Sequence, residues 1–219
     1  MSKFIKYYSD EIEKCGGIEN YIAIKSSEKK PLLDRIKKYA KNKNIVEAGC
    51  GSAANSIFLA NNGFNVTSID RGADMLKFAK LNSRSFKNKP KFIKLDIKNI
   101  AELKNNFDIS FSHGVLEHYL DNEIVELINS QFKVANFVLI SVPSNFFRKD
   151  QAINGDERFL SKKYWINLIN KTNGKLIESF AYFYDSNELK IKFLKFVSRL
   201  TLNKLPRTKP YIGFVIGRR

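Results

Sequence analysis

Residues 46–53 read Val-Glu-Ala-Gly-Cys-Gly-Ser-Ala, and this stretch decides the fold. The apolar character of residues 44–48 predicts a short β-strand, and a helix is predicted for residues 54–61. Between them, Gly49 and Gly51 predict a tight turn at which the backbone can approach a ligand closely where the helix begins. This order of strand, glycine turn and helix is typical of an α/β domain.

Strands and helices continue to alternate on the C-terminal side of this stretch. The further strands are predicted at residues 64–69, 91–95, 107–111 and 134–142, with helices that include residues 73–82 and 121–130. Parallel neighbours require a crossover, and the crossover helices cover both faces of the sheet. Two closing strands, residues 176–184 and 211–216, break this pattern. We therefore predict a doubly wound, Rossmann-like three-layer α/β sandwich whose seven-stranded sheet is mostly parallel, with an antiparallel strand among the last ones.

The composition is that of one ordinary globular domain, with 219 residues of which 43% are hydrophobic and 27% charged. The longest apolar run, residues 134–142, is too short to cross a bilayer, so no stable membrane insertion is expected. The start of the chain lacks an apolar core followed by a small-residue cleavage site, which argues against a signal peptide. Cys15 and Cys50 have neither disulfide nor metal spacing. We therefore expect a cytoplasmic protein without a metal site.

The chain is strongly basic, with 38 Lys and Arg against 22 Asp and Glu and a formal net charge of +16. One interpretation is a polyanionic partner such as nucleic acid or anionic lipid. The other is compositional, because the chain is rich in Lys, Asn, Ile and Phe and its lysines are scattered through every segment. The sequence favours the second interpretation and leaves a nucleic-acid partner open.

Residues able to recognise a ligand follow the predicted strands. They are Glu47 after the first strand, Asp70 and Asp96 after the next two, and Ser112 with His113 after the fourth. In open α/β sheets, ligands bind outside the carboxyl ends of the strands. Asp70 lies about twenty residues beyond the glycines, where an acidic side chain accepts hydrogen bonds from ribose hydroxyls. An adenosine-bearing cofactor is therefore predicted.

Glu47 discriminates between two kinds of such cofactor. Residues 49–54, Gly-Cys-Gly-Ser-Ala-Ala, also satisfy the G-x-G-x-x-A pattern of dinucleotide binding. A carboxylate just before the first glycine would repel a pyrophosphate in a partly desolvated cleft. S-adenosylmethionine carries a sulfonium and an ammonium instead, and acidic side chains attract both. The sequence therefore favours S-adenosylmethionine, with a nicotinamide-dependent oxidoreductase as the alternative.

Three motifs resemble those of class I S-adenosylmethionine-dependent methyltransferases, in particular the small-molecule, type 11/25-like branch. Residues 46–53 resemble the first motif of the family, residues 66–76 are similar to its second-strand signature, and residues 107–118 resemble its fourth-strand motif. The similarity covers roughly residues 44–145 in the right order and spacing. One departure is Ala53, because many members carry a third glycine there.

The resemblance implies a set of cofactor-binding residues at the strand ends. Those that would face the methionine portion are Glu47, Gly49, Gly51 and Ser112. Those that would face the ribose and adenine are Asp70, Arg71, Met75, Asp96 and Ile97. Each position also has a structural interpretation, since Asp96 could cap a helix and Met75 could belong to the core.

His113 is the predicted catalytic residue. It lies at the end of the fourth strand, where the acceptor should meet the methyl group, and an imidazole can serve there as a general base. His118 follows in a helical turn and matches a position that is usually structural in similar enzymes. Methyl transfer is an in-line displacement on an activated carbon, so positioning alone can supply much of the acceleration.

The acceptor is predicted to be a small molecule methylated on oxygen or nitrogen. Residues 112–115, Ser-His-Gly-Val, lack the Asn/Asp-Pro-Pro-aromatic sequence typical of enzymes that methylate base amino groups. Neither cysteine is placed as a nucleophile for pyrimidine carbon. Arg148 and Arg158 could hold an anionic acceptor, or they could pair with Asp156 and Glu157 at the surface.

A single domain of residues 1–219 is expected. Residues 1–43 would form an N-terminal helical lid, residues 44–145 a cofactor-binding core, and residues 146–219 a substrate-side segment with the closing strands. A basic amphipathic helix predicted at residues 187–203 leaves a lipid- or quinone-directed enzyme open. An RNA-directed methyltransferase and a non-catalytic S-adenosylmethionine-binding protein are further alternatives. The oligomeric state is not predicted.

Overall fold

The computed structural model describes residues 2–147, 149–183 and 210–219, and a seven-stranded sheet forms the centre of this part of the chain. Its strands are β1 (Asn44–Ala48), β2 (Asn65–Asp70), β3 (Lys91–Lys94), β4 (Phe107–His113), β5 (Ala135–Pro143), β6 (Gly174–Phe183) and β7 (Pro210–Arg218). The α-helices are α1 (Lys3–Lys14), α2 (Ile18–Glu28), α3 (Lys30–Tyr39), α4 (Ala54–Asn61), α5 (Ala73–Asn82), α6 (Asp121–Gln131) and α7 (Lys162–Asn170). Short 3₁₀ segments span Ile97–Leu103, Leu116–His118 and Lys149–Gln151.

The strand order confirms the predicted doubly wound sheet with antiparallel closing strands. The order is β3-β2-β1-β4-β5-β7-β6, and the first five of these strands are parallel. Strand β7 runs antiparallel to both β5 and β6. The chain moves outward from β1 to β3 and then returns to place β4 on the other side of β1. This reversal creates a crevice at the carboxyl ends of β1 and β4, which is where ligands bind in such sheets.

Two hydrophobic layers cover the sheet because neighbouring strand residues point to opposite faces. On β1, Val46 packs in the layer that α6 and α7 contribute to, whereas Ile45 packs in the layer that contains residues of α3 and α4. Trp165 of α7 is fully buried in the first layer and Leu32 of α3 in the second. Burial of such side chains stabilises the fold by about 1.5–3 kcal/mol each. The result is the expected three-layer arrangement.

The predicted element boundaries agree closely with the structure, with two informative differences. Strand β4 continues two residues beyond the predicted Phe111, because its ladder with β5 extends to the pair His113 and Ser141. The sequence also predicts Asp121 as the N-cap of the helix, but Asp121 is instead the first residue of α6, and its carboxylate accepts hydrogen bonds from Arg158 at 2.6 Å and from the Tyr164 hydroxyl at 2.6 Å.

Three predicted features lie outside the described residues. They are the amphipathic helix at residues 187–203, Arg148, and the last residue of the strand predicted at residues 176–184. Within the described ranges, every helix is too short or too polar to cross a bilayer.

Candidate active site

A cleft of about 410 Å³ opens at the carboxyl ends of β1, β2 and β4. Seven of the residues predicted from the sequence line it: Gly49, Gly51, Asp70, Arg71, Met75, Asp96 and Ile97. The N-terminal segment contributes Phe4 and Tyr8, and the turn after β4 contributes Gly114, Val115 and His118. Three predicted residues, Glu47, Ser112 and His113, are not part of this lining.

The glycine turn takes a backbone path that side chains would block. Gly49 has a φ of +72° and Gly51 a φ of +51°, a left-handed region that favours glycine. A Cβ atom on Gly49 would lie 2.6 Å from Val115 Cγ2, and one on Gly51 would lie 2.7 Å from the Tyr8 hydroxyl oxygen. Ala53 adopts the same left-handed conformation, with a φ of +61°. Because glycine adopts this conformation without steric strain, it is common at this position in the family that the motif resembles.

Asp70 holds the glycine turn and the following turn together. Its carboxylate accepts hydrogen bonds from the backbone N–H groups of Gly51 at 3.3 Å and Gly72 at 2.9 Å. Burial raises the pKa of Asp70, and these two hydrogen bonds oppose the rise. A carboxylate has about four lone-pair positions, so Asp70 can accept two further hydrogen bonds from vicinal hydroxyls in the cleft.

Asp96 and Met75 combine the structural and the ligand-facing interpretations. Asp96 caps the 3₁₀ segment Ile97–Leu103 by accepting a hydrogen bond from Lys98 N–H at 2.9 Å, and it also lines the cleft. Met75 is 9% exposed and reaches the cleft from α5. Structural and ligand-facing roles therefore coexist in the same side chains.

Glu47 is buried beneath the glycine turn. It is 2% exposed, and its carboxylate accepts hydrogen bonds from Asn55 Nδ2 at 2.8 Å and from the Ser56 hydroxyl. The ammonium of Lys29 donates to Asn55 Oδ1 at 3.3 Å and interacts with the Glu47 charge. Burial raises the pKa of Glu47 and lowers that of Lys29. The carboxylates that line the cleft are Asp70, Asp96 and Asp156, and a direct role of Glu47 toward the cofactor stays a prediction.

His113 lies among polar and aromatic side chains contributed by the neighbouring strands β5, β6 and β7. Its Nδ1 atom is 3.2 Å from the Ser141 hydroxyl oxygen and 3.1 Å from the Tyr182 hydroxyl oxygen. The ring of Tyr211 lies 4.9 Å from the His113 ring, centroid to centroid. Burial lowers the pKa of His113 well below its usual value, and the Lys29 charge adds to this effect. The imidazole is therefore neutral at physiological pH, and Ser112 beside it is buried in β4.

A second cavity of about 430 Å³ adjoins the cleft, and the two share Asp156. Its wall is formed by the segment that follows β5: Phe147, Lys149, Ala152, Gly155, Asp156, Glu157, Arg158 and Phe159. Arg158 is engaged elsewhere, because its guanidinium donates to the Tyr119 carbonyl at 2.7 Å and pairs with Asp121 at 2.6 Å. The predicted surface pairing of Arg158 with Asp156 and Glu157 is therefore replaced by pairing with Asp121.

His118 joins the site although the sequence favoured a structural role. It lines the cleft, and its Nδ1 atom lies 2.7 Å from Asp156 Oδ1. Ligand-type atoms of His118, Asp156 and Glu157 come within 4.8 Å of one another. We assign no metal to them, because the Glu157 carboxylate accepts three backbone N–H groups, at 2.8–2.9 Å, from residues 153–155. The acidic pair Asp156 and Glu157 was the sequence feature that could have indicated a role for His118, because the segment after β5 brings Asp156 back to the cleft.

The cleft fits S-adenosylmethionine. The glycine turn offers a backbone surface free of Cβ atoms, Asp70 offers acceptors to ribose hydroxyls, and Asp96 with Met75 offers a polar and an apolar contact to adenine. Three carboxylates in the lining suit a ligand that carries a sulfonium and an ammonium.

Solved structures of methyltransferases have folds similar to this one. A SAM-dependent methyltransferase from Archaeoglobus fulgidus superposes with a TM-score of 0.67 at 15% identity, covering 97% of this chain and 100% of that one. The magnesium protoporphyrin IX methyltransferase of Synechocystis with bound SAH superposes with a TM-score of 0.63 at 15% identity, covering 91% and 85%. At these identities the likeness concerns the fold.

A curated relative and a family model add sequence evidence. The Ubiquinone biosynthesis O-methyltransferase of Nitrosospira multiformis is 31% identical over 121 residues, which cover 51% of this chain and 51% of that protein. The chain thus matches about half the length of this relative. The sequence model described as "Methyltransferase domain" matches residues 39–180, which include β1 to β5 and the whole glycine turn. The cleft fits S-adenosylmethionine, the cofactor of this family, and the chain belongs to the methyltransferase-domain family.

Proposed function

We propose that the chain methylates an oxygen or nitrogen atom of a small aromatic acceptor. The observation that carries this proposal is the second cavity, which adjoins the cofactor cleft at Asp156 and has Phe147 and Phe159 in its wall. A cavity of about 430 Å³ lies in the usual size range of small-molecule sites. The Nitrosospira relative is an O-methyltransferase of ubiquinone biosynthesis, which is compatible with such an acceptor.

A continuous set of rings connects this cavity with the end of β4. The Phe147 ring lies 5.6 Å from that of Phe159 and 5.3 Å from that of Tyr211, centroid to centroid. Tyr211 in turn lies 5.9 Å from Tyr182 and 4.9 Å from His113. An aromatic acceptor that made an offset or edge-to-face contact with one of these rings would gain about 0.5–1.5 kcal/mol for each such pair beyond area burial. We call these five residues the ring set.

The charge of the wall favours a neutral acceptor over the anionic one that the sequence left open. Arg158 is held by Asp121 and the Tyr119 carbonyl, and Arg148 lies outside the described residues. The wall contains one lysine, Lys149, and two acidic residues, Asp156 and Glu157. An anionic acceptor would therefore meet two carboxylates and a single described lysine.

The mechanism derives from positioning in a dry site. When bound, S-adenosylmethionine supplies an activated methyl group on a sulfonium. Asp70 and the glycine turn would hold the adenosyl and methionine parts of this cofactor in the cleft, and the ring set would exclude water from the acceptor. The neutral imidazole of His113, held by Ser141 and Tyr182, lies at the β4 end of the ring set, and we infer that it aligns the acceptor's attacking atom. The prediction that His113 is a general base and the prediction of a cytoplasmic location both stay open to test.

An acceptor panel tests the proposal. Purified enzyme with S-adenosylmethionine is offered simple phenols, catechols, aromatic amines, aromatic carboxylates and short RNA, and S-adenosylhomocysteine release is measured by mass spectrometry. We expect turnover of neutral phenols, catechols or amines.

Phe147→Leu should raise KM about tenfold, since it removes a ring contact and part of the buried area. Phe137→Leu is the matched control, because that ring packs on Tyr39 instead of facing the cavity. Turnover of RNA alone would contradict the proposal.

A further inference from the structure

Glu117 is a buried carboxyl group that the cofactor site does not use. It lies in the 3₁₀ segment Leu116–His118 and is 3% exposed. Among the described residues, its Oε2 atom has no hydrogen-bond partner. Buried polar atoms in proteins are almost always paired, so an unpaired carboxyl oxygen calls for a functional explanation.

Glu117 lies between the cofactor cleft and the ring set. A Cβ atom built on Gly114, which lines the cleft, would be 3.5 Å from Glu117 Oε1. The ring set is also close enough for the Glu117 charge to raise the pKa of the hydroxyl groups of Tyr182 and Tyr211, both members of the ring set. The carboxyl group therefore lies near the place where a methyl group from the cleft and an acceptor among the rings must meet.

The surroundings of Glu117 make it a stronger base than His113. Burial, with the charges of Glu157 and Asp156 as smaller contributions, raises the pKa of Glu117 to about 8. The other titratable groups that face it are the hydroxyls of Tyr182 on β6 and Tyr211 on β7. Burial moves the pKa of His113 in the opposite direction, so its imidazole holds a proton poorly. Of these two groups, Glu117 has the proton affinity that suits a base working near neutral pH.

We propose that Glu117 Oε2 accepts the proton that the acceptor loses during methyl transfer, an inference that rests on the proposed function. The acceptor's oxygen or nitrogen atom attacks the methyl carbon of the sulfonium, and its lone pair forms the new bond to carbon. The carbon–sulfur bond breaks, and its electron pair stays on sulfur to give the neutral thioether of S-adenosylhomocysteine. The acceptor's proton passes to the Glu117 carboxylate, which becomes a neutral acid and later releases it to solvent.

The first test measures turnover against pH for the wild type, Glu117→Gln and the exposed control Glu126→Gln. Wild-type kcat should rise with pH to a plateau above about pH 8, where Glu117 is ionised. Glu117→Gln should lower the plateau kcat by about 100-fold, abolish this rise, and leave the Kd for S-adenosylhomocysteine within about twofold. The control should keep the wild-type profile.

The second test needs no acceptor and follows thermal unfolding against pH. The pKa of Glu117 is raised from an ordinary 4.5 to about 8, so the folded state binds the extra proton and wild-type stability is lost as pH rises across this window. Glutamine mimics the protonated acid. The unfolding temperature of Glu117→Gln should therefore match the wild type at low pH and exceed it increasingly up to about pH 8.

The outcomes separate this inference from the proposed function. Absence of wild-type turnover with every aromatic acceptor counts against the proposed function. Full turnover by Glu117→Gln with the wild-type pH profile overturns the assignment of Glu117 while the proposed function stands. Equal losses of kcat and of S-adenosylhomocysteine affinity would show a structural role and also overturn it, as would identical stability profiles of the two proteins.

Discussion

The candidate site at the carboxyl edge of the sheet has two ends, one around the cofactor cleft and one around the ring set, and they are built in different ways. The cofactor end takes half of its lining from residues 49–97, at or shortly after the ends of β1, β2 and β3. The other end, which we propose holds the acceptor and call the acceptor end, contains the ring set, whose members come from β4, from the segment that follows β5, and from β6 and β7. The first end is thus encoded in local motifs, whereas the second exists only after distant strands have paired. Family membership is consequently easy to recognise in this chain, and acceptor identity is not.

The two ends also differ in how strongly burial shifts the pKa values of their ionisable groups. At the cofactor end, Asp70 is half-buried and accepts backbone hydrogen bonds, which suits the binding of a polar ligand. Burial raises the pKa of Asp70 too, although its two backbone hydrogen bonds oppose the rise, whereas at the acceptor end burial raises the pKa of Glu117 to about 8 and lowers that of His113 well below its usual value. Such a dry environment strengthens interactions with reacting groups. The comparison implies that substitutions at one end change binding and those at the other change turnover.

The largest expected effect that tests this division comes from His113→Ala. We expect kcat to fall about 100-fold, because the acceptor loses the imidazole that aligns it. The Kd for S-adenosylhomocysteine should stay within about twofold, since His113 is not part of the cleft lining. Steady-state kinetics and titration calorimetry measure the two quantities. Ser141→Ala removes one Nδ1 partner of His113 and should give a smaller loss. Unchanged kcat in His113→Ala would remove His113 from the acceptor site.

Asp70→Ala should have the next largest effect, on binding alone. We expect the Kd for S-adenosylhomocysteine to rise about 10- to 100-fold, because hydrogen bonds to an ionised group contribute about 1.5–3 kcal/mol. At saturating cofactor, kcat should stay close to that of the wild type. Asp74→Ala is the matched control, since that side chain is 82% exposed on α5. An unchanged Kd in Asp70→Ala would break the comparison at its cofactor end.

The smallest effect is expected where the N-terminal helices meet the acceptor end. Arg35 of α3 pairs with Glu178 of β6 at 2.7 Å, and its guanidinium carbon lies 4.0 Å from the centroid of the Phe180 ring. Arg35→Met should lower the free energy of unfolding by about 1 kcal/mol or less, because the pair is partly exposed. Chemical denaturation measures this change, and Lys30→Met, at a pair in which Lys30 is 70% exposed, is the control. A loss of S-adenosylhomocysteine affinity in Arg35→Met would show that the two ends are coupled.

Periodicity and the glycine turn were sufficient to predict most of the fold. The bounds of β1, α4 and α5 agree with those predicted, since each is marked by apolar periodicity and by Gly or Asn at its ends. The end of β4 was missed because Ser112 is polar yet 1% exposed, and only its pairing with β5 identifies it as strand. A polar residue inside a sheet carries no local signal of its burial.

The sequence allowed those residues of the candidate site to be predicted that form the glycine turn or accept hydrogen bonds from its backbone. Gly49, Gly51 and Asp70 belong to this group. The burial of Glu47 beside Lys29 was not predictable, because it depends on how the N-terminal helices pack beneath the sheet edge. The same holds for Glu117, whose place between cleft and rings depends on β6 and β7. Long-range partners of this kind follow from tertiary structure and not from spacing.

Strand β7 lies between β5 and β6, although it follows both in the chain. On the ribosome, β5 therefore emerges with one edge unpaired until residues up to 218 have been made, and at about 5–20 residues per second this interval lasts for seconds. An unpaired edge is a template for association with another nascent chain. Every residue that lines the cofactor cleft in the described structure has been synthesised before this interval ends, whereas Tyr211 of the ring set is synthesised only near its end.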